Sequence, residues 1–320
     1  MNYSLADVSV IIPTYNRSQD LRETLVSFKN KIKDLQEVIV VDQSTDHKTK
    51  DLIKSLRDKK IKYIFSDKPS LTVARNLGIS QINRSCKIVI FLDDDVTLDT
   101  NYFKEILRVF NENALAYGVG GYYLPRGLKN SKISTFIRKF FFIEHRAPNS
   151  GRVLSSYGAI YPSRLNKTIN VEWIPGFNMA FKKEVFKKDI FDEHLSRYSL
   201  GEDFDFTYRV NMRKPLSLFL TPRARLIHRA SQIERYPARK ITYMNQIHHF
   251  YLHYKNFNRN FKERSIFVWS LLGISLLRLS LLLFRPNKRN WLKATLYFSS
   301  LSYCIFNLKD IKRGRWTIPD

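Results

Sequence analysis

The segment Lys87-Ile-Val-Ile-Phe-Leu-Asp-Asp-Asp95 decides how the chain is read. Lys87 to Leu92 is an apolar run of strand length that predicts a strand buried on both faces. It stops in three aspartates. Upstream the same pattern recurs, with Val8 to Pro13, Glu37 to Asp42 and Ile61 to Ser66 reading as strands. Asp20 to Asn30, Thr49 to Lys60, Thr72 to Ile82 and Asn101 to Glu112 read as the helices between and after them. Strands alternating with helices predict an α/β fold, a mainly parallel sheet with helices on both faces. Such sheets bind ligands outside the carboxyl ends of their strands. The unusual polar residues fall there: Thr14 to Arg17, Asp42 and Asp93 to Asp95.

Adjacent carboxylates resist ionisation together unless a cation neutralises them. A hard divalent ion takes a few carboxylates plus phosphate oxygens of a substrate. On an extended chain Asp93 and Asp95 point one way and Asp94 the other. Taken alone, the three acids also read as a solvated turn capping the next helix.

Composition narrows the classes. The 320 residues carry 54 Lys+Arg against 29 Asp+Glu, a formal charge of +25. The 44% hydrophobic and 14% aromatic content excludes a disordered polycation, a collagen or a mucin-like stalk. Two cysteines, Cys86 and Cys304, exclude a disulfide scaffold or zinc ribbon and fit a reducing compartment. Met1 to Pro13 lacks a basic n-region, so no secretory signal is expected. Residues 1–205 hold 32 basic and 25 acidic side chains; residues 206–320 hold 22 and 4, so the excess lies in the last third.

Five motifs occur in order: Val8-Ser-Val-Ile-Ile-Pro-Thr-Tyr-Asn-Arg17, Val41-Asp-Gln-Ser-Thr-Asp46, Leu71-Thr-Val-Ala-Arg-Asn-Leu-Gly78, Phe91-Leu-Asp-Asp-Asp95 and Gly201-Glu-Asp203. Together they closely resemble glycosyltransferase family 2, inverting enzymes with a GT-A fold, of the bacterial cell-surface polysaccharide type. The resemblance covers roughly residues 7–230. It implies that Pro13, Thr14, Tyr15 and Arg17 line a nucleotide-sugar site, with Tyr15 near the base. Asp42 would accept a hydrogen bond from the base imide, and Arg75 would contact base or phosphates. Asp93, with Asp94 beside it, would hold the donor's ribose end, and Asp95 would ligate Mn²⁺ or Mg²⁺ with help from His228. Trp173, Gly176, Asn178 and Glu202 would face the acceptor, and Asp203 would be the catalytic base. The implied donor is a UDP-, dTDP- or GDP-sugar, and the acceptor is a saccharide or lipid-linked saccharide. The chemistry agrees with these roles: a metal ion stabilises a departing diphosphate, while a base removes the proton of the attacking hydroxyl.

The implied division is a GT-A domain over 1–240, with a nucleotide-sugar half at 1–112 and an acceptor half at 113–240, then a basic, apolar helical region over 241–320. Gly118, Gly120 and Gly121 predict close backbone approach or tight turns. Lys129 to Arg146 reads as a flexible flank of the acceptor site. His248, His249 and His253 have helical spacing that could bind metal, but without neighbouring Cys or carboxylate they read as aromatic packing. Ser265 to Phe284, 20 nearly apolar residues, is long enough to cross a bilayer. Basic residues flank it on both sides, which favours an in-plane or re-entrant helix on the cytoplasmic face of an anionic membrane. The charge alone would also suit a nucleic-acid-binding protein, but no such motif is present, and no nucleic acid partner is expected. A nucleotidyltransferase on a related sheet would want a Gly-rich pyrophosphate loop, absent after the first strand. No Gln-x-x-Arg-Trp signature follows the Glu-Asp pair, which argues against a processive polymerase.

Overall fold

A computed structural model describes residues 2–122, 132–196, 198–233, 236–257 and 260–319. The strands are β1 (Val8–Thr14), β2 (Glu37–Asp42), β3 (Ile61–Phe65), β4 (Ile88–Leu92), β5 (Val96–Leu98), β6 (Gly118–Tyr122), β7 (His145–Ala147), β8 (Ile160–Pro162), β9 (Ile169–Val171), β10 (Asn178–Lys182) and β11 (Leu218–His228). The helices are α1 (Ser18–Ser27), α2 (Lys29–Ile32), α3 (Lys48–Leu56), α4 (Leu71–Ser80), α5 (Tyr102–Glu112), α6 (Lys132–Phe140), α7 (Glu202–Arg213), α8 (Ala238–Asn256), α9 (Phe261–Phe284), α10 (Lys288–Phe306) and α11 (Leu308–Lys312).

Among the described residues the main sheet runs β3-β2-β1-β4-β10-β6-β11-β5, with β9 also on β11. The half from β3 to β4 is parallel, as the alternation predicts. Beyond β4 the sheet is mixed, because β10 returns antiparallel between β4 and β6. The apolar run of β4 is buried on both faces for a simple reason. Ile88, Ile90 and Leu92 join one hydrophobic cluster with Val10 and Ile12 of β1, while Val89 and Phe91 join another with Ile11 and Ala74. The predicted helix over residues 20–30 is two helices, broken at Phe28, whose ring turns into the core against Phe103 at 5.5 Å. The glycine-rich segment is strand β6, and close approach is the reason: a Cβ on Gly120 would lie 2.6 Å from Ile174 and 2.7 Å from Leu220.

Contacts divide the chain into Met1–Leu124 with Arg164–Arg235, and Pro125–Ser163 with Tyr236–Asp320. This differs from the division at residue 240, since the stretch before 163 packs with the C-terminal helices. The Trp269 indole donates to the Phe140 carbonyl (3.0 Å), a His249 ring nitrogen meets the Ser156 carbonyl (3.0 Å), and Asn256 donates to the Tyr157 hydroxyl (2.9 Å). Of the flank read over Lys129 to Arg146, residues 129–131 lie outside the described residues, and 132–140 form α6. The three histidines of α8 are packing residues. His253 is fully buried and stacks on Phe267 of α9 at 3.9 Å, and His249 meets the same ring edge-on at 5.1 Å. Helix α9 is long and apolar enough to cross a membrane, and 22% of its most apolar window is buried.

Candidate active site

The first of the expected clusters forms where β4 ends. Asp93, Asp95 and His228 each offer a ligand atom within 4.8 Å of the others. Strand pairing brings them together: β11 lies antiparallel to β5 with His228 opposite Val96, so the imidazole lands beside Asp95. His228 Nε2 lies 3.0 Å from Asp95 Oδ1. The Ser231 N–H donates to Asp95 Oδ2 (2.8 Å), after the chain turns through Ala230 at φ 55°. Phe177 stacks on the imidazole at 4.9 Å. Burial works to raise the Asp95 pKa, but the bond and charge of His228, the Ser231 N–H and the Arg17 charge together outweigh it and hold the carboxyl below its usual range.

Asp94 points the other way, as alternation requires. Its carboxylate accepts from the Thr14 hydroxyl (2.7 Å) and faces Arg17 Nη1 at 3.4 Å. Burial pushes it up to about 7 despite those partners. Asp94 therefore ties the loop after β1 to the acidic strand end and stands apart from the Asp93, Asp95 and His228 group. Pro13 lies inside β1 opposite Val41. Arg17 also donates from Nε and Nη2 to the Ile233 carbonyl (3.1 and 2.7 Å). Tyr15, half-buried, sits in a loop fastened to the one after β2, since the Asn16 N–H donates to Ser44 Oγ (2.8 Å) and the Thr45 N–H to Asn16 Oδ1 (2.9 Å).

A second cluster surrounds Arg75, on α4 and only 1% exposed. Its Nη1 donates to Glu202 Oε1 (2.8 Å), and its Nη2 donates to the Gly176 carbonyl (3.1 Å) and Asp93 Oδ1 (3.3 Å). The Gly176 N–H donates to Asp203 Oδ2 (2.7 Å), and the Phe204 N–H donates to Asp203 Oδ1 (2.7 Å). One glycine peptide segment is thus held by Arg75 on one side and Asp203 on the other. Asp203 stands in the first turn of α7, where the helix dipole favours negative charge. Gly201 at φ 87° makes the left-handed turn that starts the helix. Burial first, then the Asp203 charge, pushes Glu202 upward against the opposing pull of Arg75.

Four of the expected residues are engaged within the protein itself. Asp42 is fully buried; it caps its own loop by accepting from the Ser44 N–H (2.9 Å) and accepts from the Tyr63 hydroxyl (2.9 Å). Asn178, also fully buried, accepts from the Gly121 N–H (2.5 Å) and the Tyr102 hydroxyl (3.3 Å), which places its carbonyl oxygen inside the sheet. Glu202 turns inward to Arg75, so its part is to hold that guanidinium. Arg75 in turn lies beneath the acids as a brace between them. Trp173 is buried beside Phe204, ring centres 5.7 Å apart. Phe177 belongs to the segment Gly176 to Met179 that the resemblance placed on the acceptor side, and its ring lies instead on His228. Sequence reading missed Ser231 and Arg229. Ser231 and Arg229 follow His228 without any motif, and Arg229 reaches the Val96 carbonyl (3.0 Å) and Thr97 hydroxyl (2.7 Å).

A half-parallel sheet whose carboxyl edge gathers an Asp-x-Asp pair, a late-strand histidine and a helix-first-turn aspartate defines the GT-A class of nucleotide-sugar enzymes. The glycosyl transferase family 2 model matches residues 9–190, more than half of the chain, and the chain belongs to that family. It is 34% identical over 118 residues to an uncharacterized glycosyltransferase of Rickettsia bellii, which covers 37% of this chain and 17% of that protein. It is 34% identical over 110 residues to the GalNAc(5)-diNAcBac-PP-undecaprenol beta-1,3-glucosyltransferase of Campylobacter jejuni, 33% of this chain and 35% of that protein. These matches thus span a sixth to a third of the relatives' lengths. Among solved structures, the mannosyltransferase PcManGT of Pyrobaculum calidifontis, in complex with GDP-Man and Mn²⁺, superposes with a TM-score of 0.57 at 14% identity, covering 95% of this chain and 87% of that one. S. aureus TarS 1-349 in complex with UDP-GlcNAc gives 0.54 at 14% identity, covering 98% and 82%. At such identities these two likenesses establish the fold.

Proposed function

We propose that this chain transfers a sugar from a nucleotide-sugar donor, with inversion and with Mn²⁺ or Mg²⁺, to a saccharide or lipid-linked saccharide in cell-surface polysaccharide biosynthesis, at the cytoplasmic face of the cell membrane. The observation that carries this reading is the Asp93–Arg75–Gly176–Asp203 linkage, which sets a half-exposed carboxylate at a fixed place beside the acidic strand end.

The residues fit a divalent ion. Asp93 and Asp95 supply carboxylate oxygens of the kind Mn²⁺ and Mg²⁺ take, with the His228 imidazole as a third donor. Asp95 Oδ1 is buried, with the His228 imidazole nitrogen 3.0 Å away as its near neighbour. When bound, the ion supplies positive charge to the departing diphosphate.

The remaining steps belong to the chain. The loop of Thr14 to Arg17, fixed by Asp94 and Ser44, forms one wall of the donor site, and the curated likenesses to glucosyltransferases support a nucleotide-sugar there. Asp203 takes the proton of the acceptor hydroxyl as that oxygen bonds to the anomeric carbon and the bond to the diphosphate oxygen breaks. Attack opposite the leaving group inverts the centre in a single displacement. The two backbone N–H groups on Asp203 aim its free lone pairs, and Arg75 keeps that aim in register with Asp93.

A thermal-shift screen of UDP-, dTDP- and GDP-sugars with Mn²⁺ or Mg²⁺ tests the proposal. One donor with an ion is expected to stabilise the protein. Asp95→Ala should lose that stabilisation, while Asp203→Asn should keep it and lose transfer. Stabilisation by no nucleotide, or salt-sensitive DNA binding in its place, would overturn the reading.

A further inference from the structure

Within the unit that holds the C-terminal helices, α9 has two unlike sides. Phe267, Ser270 and Gly273 are buried. A Cβ on Gly273 would overlap Phe141, the Trp269 indole donates to the Phe140 carbonyl (3.0 Å), and the Tyr297 hydroxyl of α10 donates to the Leu271 carbonyl (3.1 Å). On the other side Val268, Leu272, Leu276, Leu279 and Leu283 follow one another at three- and four-residue steps, and each is at least 45% exposed. At that spacing they form one stripe. Phe140, 55% exposed, meets Trp269 edge-on at 5.5 Å and extends the apolar ridge onto α6. A contiguous exposed ridge of this kind marks an interaction surface.

We infer that this ridge is a docking surface for an anionic bilayer, on which α9 lies in the plane of the membrane without crossing it. Charge selects the occupant. Lys262 and Arg264 precede the stripe, and Arg285, Lys288 and Arg289 follow it, so both ends seek the same anionic headgroup layer. A second copy of the chain docked on this face would set basic end against basic end. The inner contacts decide between lying and crossing. A crossing helix would have to give up the Tyr297, Trp269 and Phe141 contacts that hold its inner side to α10 and α6. The segment read from sequence as an acceptor flank thereby contributes an edge of the lipid face.

The test uses the full chain and vesicles of phosphatidylcholine with or without phosphatidylglycerol, with neither donor nor acceptor, so its outcome is independent of the transfer reading. The chain is expected to float with anionic vesicles, to stay behind with neutral ones, and to be extracted by alkaline carbonate. Leu272→Glu/Leu276→Glu, at positions exposed in the fold, should keep the wild-type Tm and weaken flotation at least ~10-fold. Arg285→Glu/Lys288→Glu/Arg289→Glu should remove the preference for phosphatidylglycerol. Flotation unchanged by the leucine pair overturns the inference. So does resistance to carbonate, which means a span, and so does a stripe-dependent dimer in light scattering that ignores vesicles.

Discussion

Replacing Gly176 by alanine perturbs the site at its junction. Gly176 is not in the left-handed region, so the consequence is steric. The added Cβ would lie 2.8 Å from Asp203 Cβ and 3.2 and 3.3 Å from Arg75 Nη2 and Nη1. Carbon atoms in ordinary contact stand about 3.5–4.0 Å apart, so the first turn of α7 must retreat by about 0.7 Å or more. Overpacking of this size costs about 1–3 kcal/mol of stability, and misplacing a reacting group by about 1 Å costs roughly 10²-fold in rate. We therefore expect Gly176→Ala to fold with a lowered Tm and to lose about 10²-fold in kcat, with donor KM within about twofold because the loop after β1 is untouched. Asp203→Asn should lose about 10²–10⁴-fold, the usual contribution of a positioned base. If Gly176 acts by aiming Asp203, Gly176→Ala/Asp203→Asn will be no slower than Asp203→Asn alone. Initial rates at saturating donor measure this. Full activity in Gly176→Ala, or additive losses in the double variant, would refute the reasoning.

Arg75→Leu leaves Glu202 and Asp93 without their buried cation and should cost about 3–5 kcal/mol in chemical denaturation, part of it regained in Arg75→Leu/Glu202→Gln. Chelation should abolish transfer, and Mn²⁺ or Mg²⁺ should restore it in wild type but not in Asp95→Asn, read as donor-dependent release of nucleoside diphosphate. Burial depresses the folded-state pKa of His253 from 6.5 to about 3. Below 6.5 the unfolded chain takes up a proton that the folded chain refuses, so stability is full above that pH and falls as the pH drops. Between pH 7.5 and 5.5 this amounts to about 1.4 kcal/mol, or roughly 3–6 °C in Tm, and His253→Phe should shed that loss. Equal acid sensitivity in the variant would remove His253 as its source.

The parallel half of the sheet was legible because its strands are buried on both faces and therefore read as unbroken apolar runs. The Asp-x-Asp side preference followed from the two-residue period of an extended chain and holds in the contacts of Asp93 and Asp94. What escaped depends on partners distant in sequence. Arg75 and Glu202 are 127 residues apart, and nothing local says that a helix arginine turns inward to brace acids. Asp42 and the Asn178 carbonyl oxygen are suited to ligands, yet each accepts from a backbone N–H and a tyrosine hydroxyl within the protein. From residue 132 to 163 the chain has short strands and a basic aromatic helix, and their partners in the C-terminal helices lie a hundred or so residues further along the sequence.

The pairing of β5 with β11 has a thermodynamic consequence. Asp95 and His228 are fixed on adjoining strands, so the conformational entropy of gathering them is lost once, when the chain folds. A cation bound as proposed would find its ligands assembled and would relieve the repulsion between Asp93 and Asp95 that the fold otherwise maintains. Its binding free energy would then appear directly as resistance to unfolding. The melting curve becomes a titration of the site, and can rank metals and donors before any acceptor has been found.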